Sequence, residues 1–182
     1  MSKNLYQTIE DRNDADEVEQ HGPYRCSAHN AWLGDGYYFW DSHIDLAHWW
    51  GRKHYPFSNY MICRSTIPCD DEILDLYNSP ENQVEFKQTV DVMRKELATE
   101  DIKVIHVIKY IKDHTNYYQR YKGIRCMGIG STSSYDFSSY RFKFVNKNHA
   151  YLDLCPPIQY CITDISILNG YEVMYPEYYK NV

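Results

Sequence analysis

A chain of 182 residues is long enough to bury one core and short for two, so residues 1–182 are read as a single domain. Charged residues at 24% and apolar residues at 43% exclude a disordered or low-complexity chain. A net charge of −6 argues against a strong non-specific nucleic-acid footprint over the whole surface, though a local basic groove stays open.

Leu5 to Ile9 reads as a first strand, ended by the polar run Glu10 to Glu17. Val18 to Asn30 is polar and aperiodic, which suits a loop or a short helix. Gly34-Asp35-Gly36 supplies a tight turn, because glycine reaches φ > 0 without a Cβ clash. Tyr37 to Trp40 is an aromatic run suited to a half-buried strand. Asp41 or Ser42 can cap a following helix, and Gly51 can end it. Tyr60 to Ile67 is a strand stopped by Pro68, and Glu72 to Tyr77 a short strand or turn. Ser79-Pro80 opens the clearest helix, with Ser as N-cap and Pro in the first helical position. Phe86, Val90, Met93 and Leu97 then form its buried stripe. Ile102 to Ile111 favours a helix.

From Gly123 the pattern turns to strands at Ile124–Ile129, Tyr140–Val145, Ile158–Ile167 and Tyr171–Tyr175, with a small-residue loop from Gly128 to Ser134. Strands in both halves with helices grouped between them indicate an α+β fold. No apolar run approaches the roughly 18 residues of a membrane span, and Met1-Ser-Lys-Asn4 lacks an apolar signal core. The six cysteines are scattered without a C-x-x-C pair and are expected to be reduced. A cytoplasmic protein with no membrane partner is therefore expected.

The most informative stretch runs from Trp32 to Gly51. Leu46, Trp49 and Trp50 share one helical face beside the aromatic strand. Spacing alone leaves both ordinary core and a binding slot open. Gly36-Tyr37-Tyr38-Phe39 followed by Ala47 and Trp49 resembles the Gly-x-Tyr-Phe…Ala-x-aromatic segment of ADP-ribosyltransferases. The diphtheria-toxin and poly(ADP-ribose) polymerase branch is the nearest, with its His, Tyr and Glu on three separate strands. The resemblance implies split antiparallel β-sheets with helices packed around them, and NAD as substrate. It makes Tyr38 and Trp49 the two walls of a nicotinamide slot. It aligns Gln7 and Thr8 with the family's His-Gly, hence NAD binding from the first strand. It also sets Gln159, in Pro156 to Leu168, where the family carries its catalytic Glu. The family's helical serine has no counterpart, since Leu46 stands there.

Cleavage of the nicotinamide–ribose bond passes through an oxocarbenium-like state, as in glycoside hydrolysis. It needs an oriented leaving group and an acceptor on the ribose 2′-hydroxyl. Gln159 can accept that bond but carries no charge and cannot be a general base. Losing one such interaction can cost roughly 3–4 kcal/mol of transition-state stabilisation. Single ADP-ribosyl transfer to a protein or nucleic acid, or NAD hydrolysis, is therefore expected rather than polymer growth. A bacterial toxin or defence effector, with a cognate antitoxin or immunity protein as partner, is the setting the resemblance implies. Glu172 or Glu177 could lend a carboxylate. Arg25, Arg52 and Arg64 are each candidates for the pyrophosphate. The loop Asn146–Pro157 would face the acceptor.

Two other readings stand beside this one. Cys26, His29, His43, His48 and His54 crowd one region, but His43 and His48 lie about 140° apart on a helix and no closely paired ligand motif exists. A catalytically inactive module that binds NAD, protein or RNA is the second, because tyrosine-rich faces can stack bases.

Overall fold

The computed structural model describes residues 2–128, 140–147 and 150–181. In chain order these form β1 (Lys3–Glu10), α1 (Ala15–His21), β2 (Tyr37–Asp41), α2 (Ile44–His54), β3 (Tyr60–Ile67) and β4 (Ile73–Asp75). The middle of the chain is helical: α3 (Pro80–Leu97), α4 (Val104–His114) and α5 (Tyr117–Arg120). Then come β5 (Gly123–Met127), β6 (Arg141–Lys143), β7 (Tyr151–Asp153), β8 (Ile158–Ile162) and β9 (Asn169–Tyr175). Short 3-10 turns at Ile165–Ile167 and Glu177–Asn181 flank β9. The expected α+β class holds.

Seven strands join in the order β4-β5-β8-β2-β1-β3-β9, and β6 and β7 form a separate hairpin. The large sheet is antiparallel except for the parallel pair β4–β5. Where two split sheets were expected, a single ladder runs across all seven strands. Its junctions are unequal, however. β1 pairs with β3 over eight positions, from Lys3↔Ile67 to Glu10↔Tyr60, whereas β1 and β2 pair only at Leu5↔Asp41 and Tyr6↔Trp40.

Alternation along the strands sorts the core into two faces. On one, Leu5, Phe39, Tyr160 and Ile162 pack together, and Val18 of α1 closes over Met61, Cys63 and Val173. The opposite face is covered by helices. Met93 of α3 and Val107, Ile108 and Ile111 of α4 pack on Ile124 and Cys161, while Leu46 and Ala47 of α2 pack on Tyr6, Trp40 and Ile62.

Local signals placed several elements well. Ser79 Oγ accepts from the Asn82 backbone N–H at 3.2 Å, with Pro80 beginning α3, a cap worth about 1 kcal/mol. Within the α3 stripe Met93 is buried and Phe86 and Val90 pack against the core, but Leu97 is exposed. The ends of α2 differ from expectation. Its N-cap is His43, and it continues through Gly51 to His54. A Cβ on Gly51 would stand 2.5 Å from the Tyr60 ring, so this glycine serves a close helix–strand approach rather than a stop. β6 is shorter than the expected Tyr140–Val145, and the strand foreseen over Ile158–Ile167 breaks into β8 and a 3-10 turn. The small-residue loop from Gly128 to Ser134 lies, beyond Gly128, outside the described residues. Neither β7 nor α5 was foreseen.

Candidate functional site

The turn before β2 is built as its glycines require. Gly34 sits at φ +89°, a conformation that favours glycine. A Cβ on Gly36 would lie 2.5 Å from Cys161 Sγ and 2.7 Å from the Ile162 carbonyl, so only glycine lets this turn press against β8. Tyr38 braces the same turn. Its hydroxyl donates to the Gly34 carbonyl at 2.8 Å and accepts from the Leu33 N–H at 3.0 Å. Burial, then the neighbouring Cys161, raises the Tyr38 pKa well above its ordinary range, so the phenol stays neutral.

Tyr38 shares its sheet face with Trp40 and Gln159, because paired residues on neighbouring antiparallel strands point the same way. Trp40 pairs with Gln159 and Gln159 with Cys126, giving a row across β2, β8 and β5. Gln159 is buried, and its Oε1 accepts from the Trp32 indole N–H at 2.8 Å. Trp32 is 38% exposed and lies against Gly128, where an added Cβ would meet its ring at 2.7 Å. Among the described residues, the Gln159 Nε2 donors find no acceptor. Cys126 does not offer a thiolate here, since burial raises its pKa.

Helix α2 brings two more indoles to this face. Trp49 meets Trp40 edge-on with centroids 6.2 Å apart, Trp50 lies 6.5 Å from Trp40, and Lys53 sits over the Trp49 ring at 5.1 Å. The ring that β2 presents to Trp49 is thus Trp40. Tyr38 packs instead against the core beneath α4. The expected Tyr38–Trp49 pair is therefore distributed over two neighbouring clusters on one face.

Beyond Tyr6↔Trp40, β1 leaves β2 while staying paired with β3, and the segment that bridges Cys26 to Gly36 comes in beside β2 instead. Two first-strand residues border this junction in different ways. Thr8 lies on the helix-covered face, where its hydroxyl donates to the Ala47 carbonyl of α2 at 2.9 Å. Gln7 points to the other face, and its amide is fully used. Nε2 donates to the Tyr24 carbonyl at 2.8 Å and the Tyr38 carbonyl at 3.3 Å. Oε1 accepts from the Tyr24 N–H at 2.9 Å and the Tyr171 hydroxyl at 2.7 Å. An amide has four such bonds to make, so Gln7 has none left for NAD. As it stands, Gln7 stitches β1, β2 and β9 together.

Other expected contributors lie apart from this face or are occupied. Glu172 is on β9, four strands from Gln159 and so about 19 Å across the sheet, where it binds Arg64. Glu177 lies beyond β9 in the last 3-10 turn. Arg64 is thereby committed, Arg25 stands 3.7 Å from Asp35, and Arg52 is exposed on the last turn of α2. The segment Asn146–Pro157 contains β7 and the buried Cys155, with Asn148 and His149 outside the described residues. Among the described residues no three His, Cys, Asp or Glu side chains cluster as metal ligands.

Sequence reasoning missed two features. Trp32 opened the informative stretch, but nothing local linked it to Gln159. The second is a buried charge network on the opposite face. Arg125 Nη2 and Nε bind Asp41 Oδ2 at 2.7 and 2.9 Å, and its Nη1 binds Asp75 Oδ2 at 2.8 Å, with Arg125 and Asp41 side chains each 5% exposed. Burial opposes the guanidinium charge, but the Asp41 hydrogen bonds, with Tyr160 and Asp75, outweigh it and raise its pKa. A lone arginine within an apolar strand is the one sequence signal that such partners exist.

Comparison with protein-family models, curated proteins and solved structures finds no match to this chain. Among the described residues no helix is long and apolar enough to cross a membrane.

Proposed function

We propose that this chain is an NAD-dependent mono-ADP-ribosyltransferase with an ADP-ribosyltransferase-like fold, acting on a macromolecule. The observation that carries this reading is the adjacency of β1, β2 and β8. These three strands hold Thr8, Tyr38 and Gln159 on one helix-covered face, where the β1–β2 ladder is only two pairs long. That face would offer a flat ring the indoles of α2 beside Thr8, with Tyr38 and the Gln159 amide on the adjoining strands. It fits NAD less well at Gln7, whose amide is spent within the fold. The ribose C1′–nitrogen bond of NAD breaks, nicotinamide leaves with the bonding pair, and an acceptor nitrogen or oxygen bonds to C1′ and gives its proton to water. Gln159 contributes hydrogen bonding rather than charge.

A second reading, a catalytically inactive NAD binder, is favoured by one observation: Gln159 is neutral and its Oε1 is already held by Trp32. Incubation with nicotinamide-labelled NAD separates the two. Release of free label that falls on Gln159→Ala and Trp49→Ala substitution supports the transferase. Thermal protection by NAD with no release supports the binder. Neither release nor protection would refute both.

A further inference from the structure

A cavity of about 190 Å³ lies on the β3–β9 side of the sheet, between the loop that joins α2 to β3 and the chain that leaves β9. Its walls are Ser58 and Asn59 of the loop, Tyr60 at the start of β3, Tyr175 at the end of β9, and Pro176 and Tyr178 beyond it. The Tyr60 and Tyr175 rings stack with centroids 5.2 Å apart. The loop is held in place by its backbone, since the Asn59 carbonyl accepts from the Asp11 N–H at 3.0 Å. Three of the chain's nineteen tyrosines thus meet at a cavity that the candidate site does not use.

The walls limit what can enter. None of the six lining residues carries a formal charge. The nearby charges stand behind the wall at opposite ends. Asp11, 8% exposed, accepts from the Tyr178 hydroxyl at 3.3 Å, while Arg52 stands beside the Tyr60 hydroxyl, which also meets His48 Nδ1 at 3.2 Å. An anion would approach Asp11 and a cation would approach Arg52, with no counter-charge in the wall to repay desolvation. A wholly apolar ring would leave the Ser58 and Tyr178 hydroxyls and the Asn59 amide unpaired. A neutral ring that carries hydroxyls avoids both costs.

Hydrogen-bond polarity points the same way. The Tyr178 O–H is spent on Asp11, so toward a ligand its oxygen acts as an acceptor. Ser58 and Asn59 can both donate and accept. Sugar hydroxyls do both as well, and the C–H face of a sugar ring packs on an aromatic ring. The volume is well below the roughly 300 Å³ at which sites for drug-sized molecules begin, so it admits one substituted six-membered ring.

We propose that this cavity binds a single neutral pyranose, either a free sugar or the end residue of a glycan. Tyr175 and Tyr178 supply ring surface, the Tyr178 oxygen accepts from one sugar hydroxyl, and Ser58 and Asn59 bind others. The site shares no residue with the face that carries Thr8, Tyr38, Trp49 and Gln159, so it stands or falls apart from the transferase reading.

The test uses the full chain labelled with ¹⁵N, titrated with the methyl glycosides of glucose, galactose and mannose and followed by amide shifts at Asn59, Tyr60 and Tyr178. Millimolar binding of at least one is expected for a ligand this small. Tyr178→Phe, which keeps the ring and deletes the oxygen, and Asn59→Ala, which keeps the backbone bond to Asp11, are each expected to weaken it about fivefold. Tyr178 is 56% exposed and Asn59 is also exposed, and circular dichroism checks that both variants keep their fold. Tighter binding of an oligosaccharide than of the methyl glycoside of its end residue assigns the cavity to a glycan end, and equal binding assigns it to a free sugar. No shifts with any of the three glycosides, unchanged affinity in both variants, or tighter binding of glucuronate or glucosamine than of methyl glucoside would overturn the proposal.

Discussion

The Trp32 indole donates to Gln159 Oε1 across 127 positions of chain, tying the turn before β2 to the start of β8. The bond occupies the amide's single oxygen, and among the described residues Nε2 has no acceptor. Replacing Trp32 by Phe keeps most of the ring and deletes the donor. The expected cost to stability is about 1 kcal/mol, measured by urea denaturation. If NAD is cleaved, the same variant changes the rate, because the Gln159 amide is then free to rotate. A variant with unchanged stability and unchanged turnover would show that this bond does nothing.

Arg125 is the point on which two buried carboxylates balance. Arg125→Met leaves Asp41 and Asp75 without a counter-charge, and a loss of roughly 3–5 kcal/mol is expected. Asp75 Oδ1 also accepts from the Tyr77 and Asn78 N–H groups, so the turn into α3 loosens as well. Chemical denaturation of Arg125→Met beside Arg125→Lys measures this. A loss below about 1 kcal/mol for Met would contradict the account.

Gln7 offers a contrast between binding and bracing. Gln7→Ala strands the Tyr171 hydroxyl and the Tyr24 N–H, and a loss of about 2 kcal/mol or more is expected. Any NAD affinity, measured by calorimetry at a temperature where the variant stays folded, is expected to be unchanged. Weakened NAD binding with intact stability would restore the role that its alignment with the family implied.

The buried thiols set an alkaline limit on the fold. Burial pushes Cys63 up to about 12 and Cys155 and Cys161 to about 11, from an ordinary value of 9.0. A raised folded pKa means that the unfolded chain loses its proton first. The stability these thiols lend is therefore complete below pH 9 and lost as pH rises toward 11 and 12. Urea midpoints taken on either side of pH 9 are expected to fall with pH, and less steeply in Cys161→Ala. Exposed Cys69 is expected to alkylate first near neutral pH.

Legibility followed the range of the forces involved. Tyr60–Ile67, the Ser79-Pro80 helix start and the Gly34–Gly36 turn were readable, because strand pattern, cap chemistry and positive φ are local. Gly51 misled for the same reason: glycine is a good stop, yet here the Tyr60 ring demanded it. The partners of Gln7, Arg125 and Trp32 were unreadable. Each is chosen by strand order, and no spacing in the chain announces that β8 sits beside β2 or β9 beside β3. The candidate site was legible to the same extent. Thr8, Tyr38, Trp49 and Gln159 fall on one face, but which ring meets which was decided by packing.

The narrow junction between β1 and β2 makes the molecule resemble a book bound by two stitches. One leaf is β4, β5, β8 and β2; the other is β1, β3 and β9. With so little ladder between them, the stiffness of the whole depends on side chains laid across the gutter, Gln7 first among them. A ligand bound across that junction would act as glue, and its arrival would be readable as slowed amide exchange at Tyr6 and Trp40 even if it never reacted.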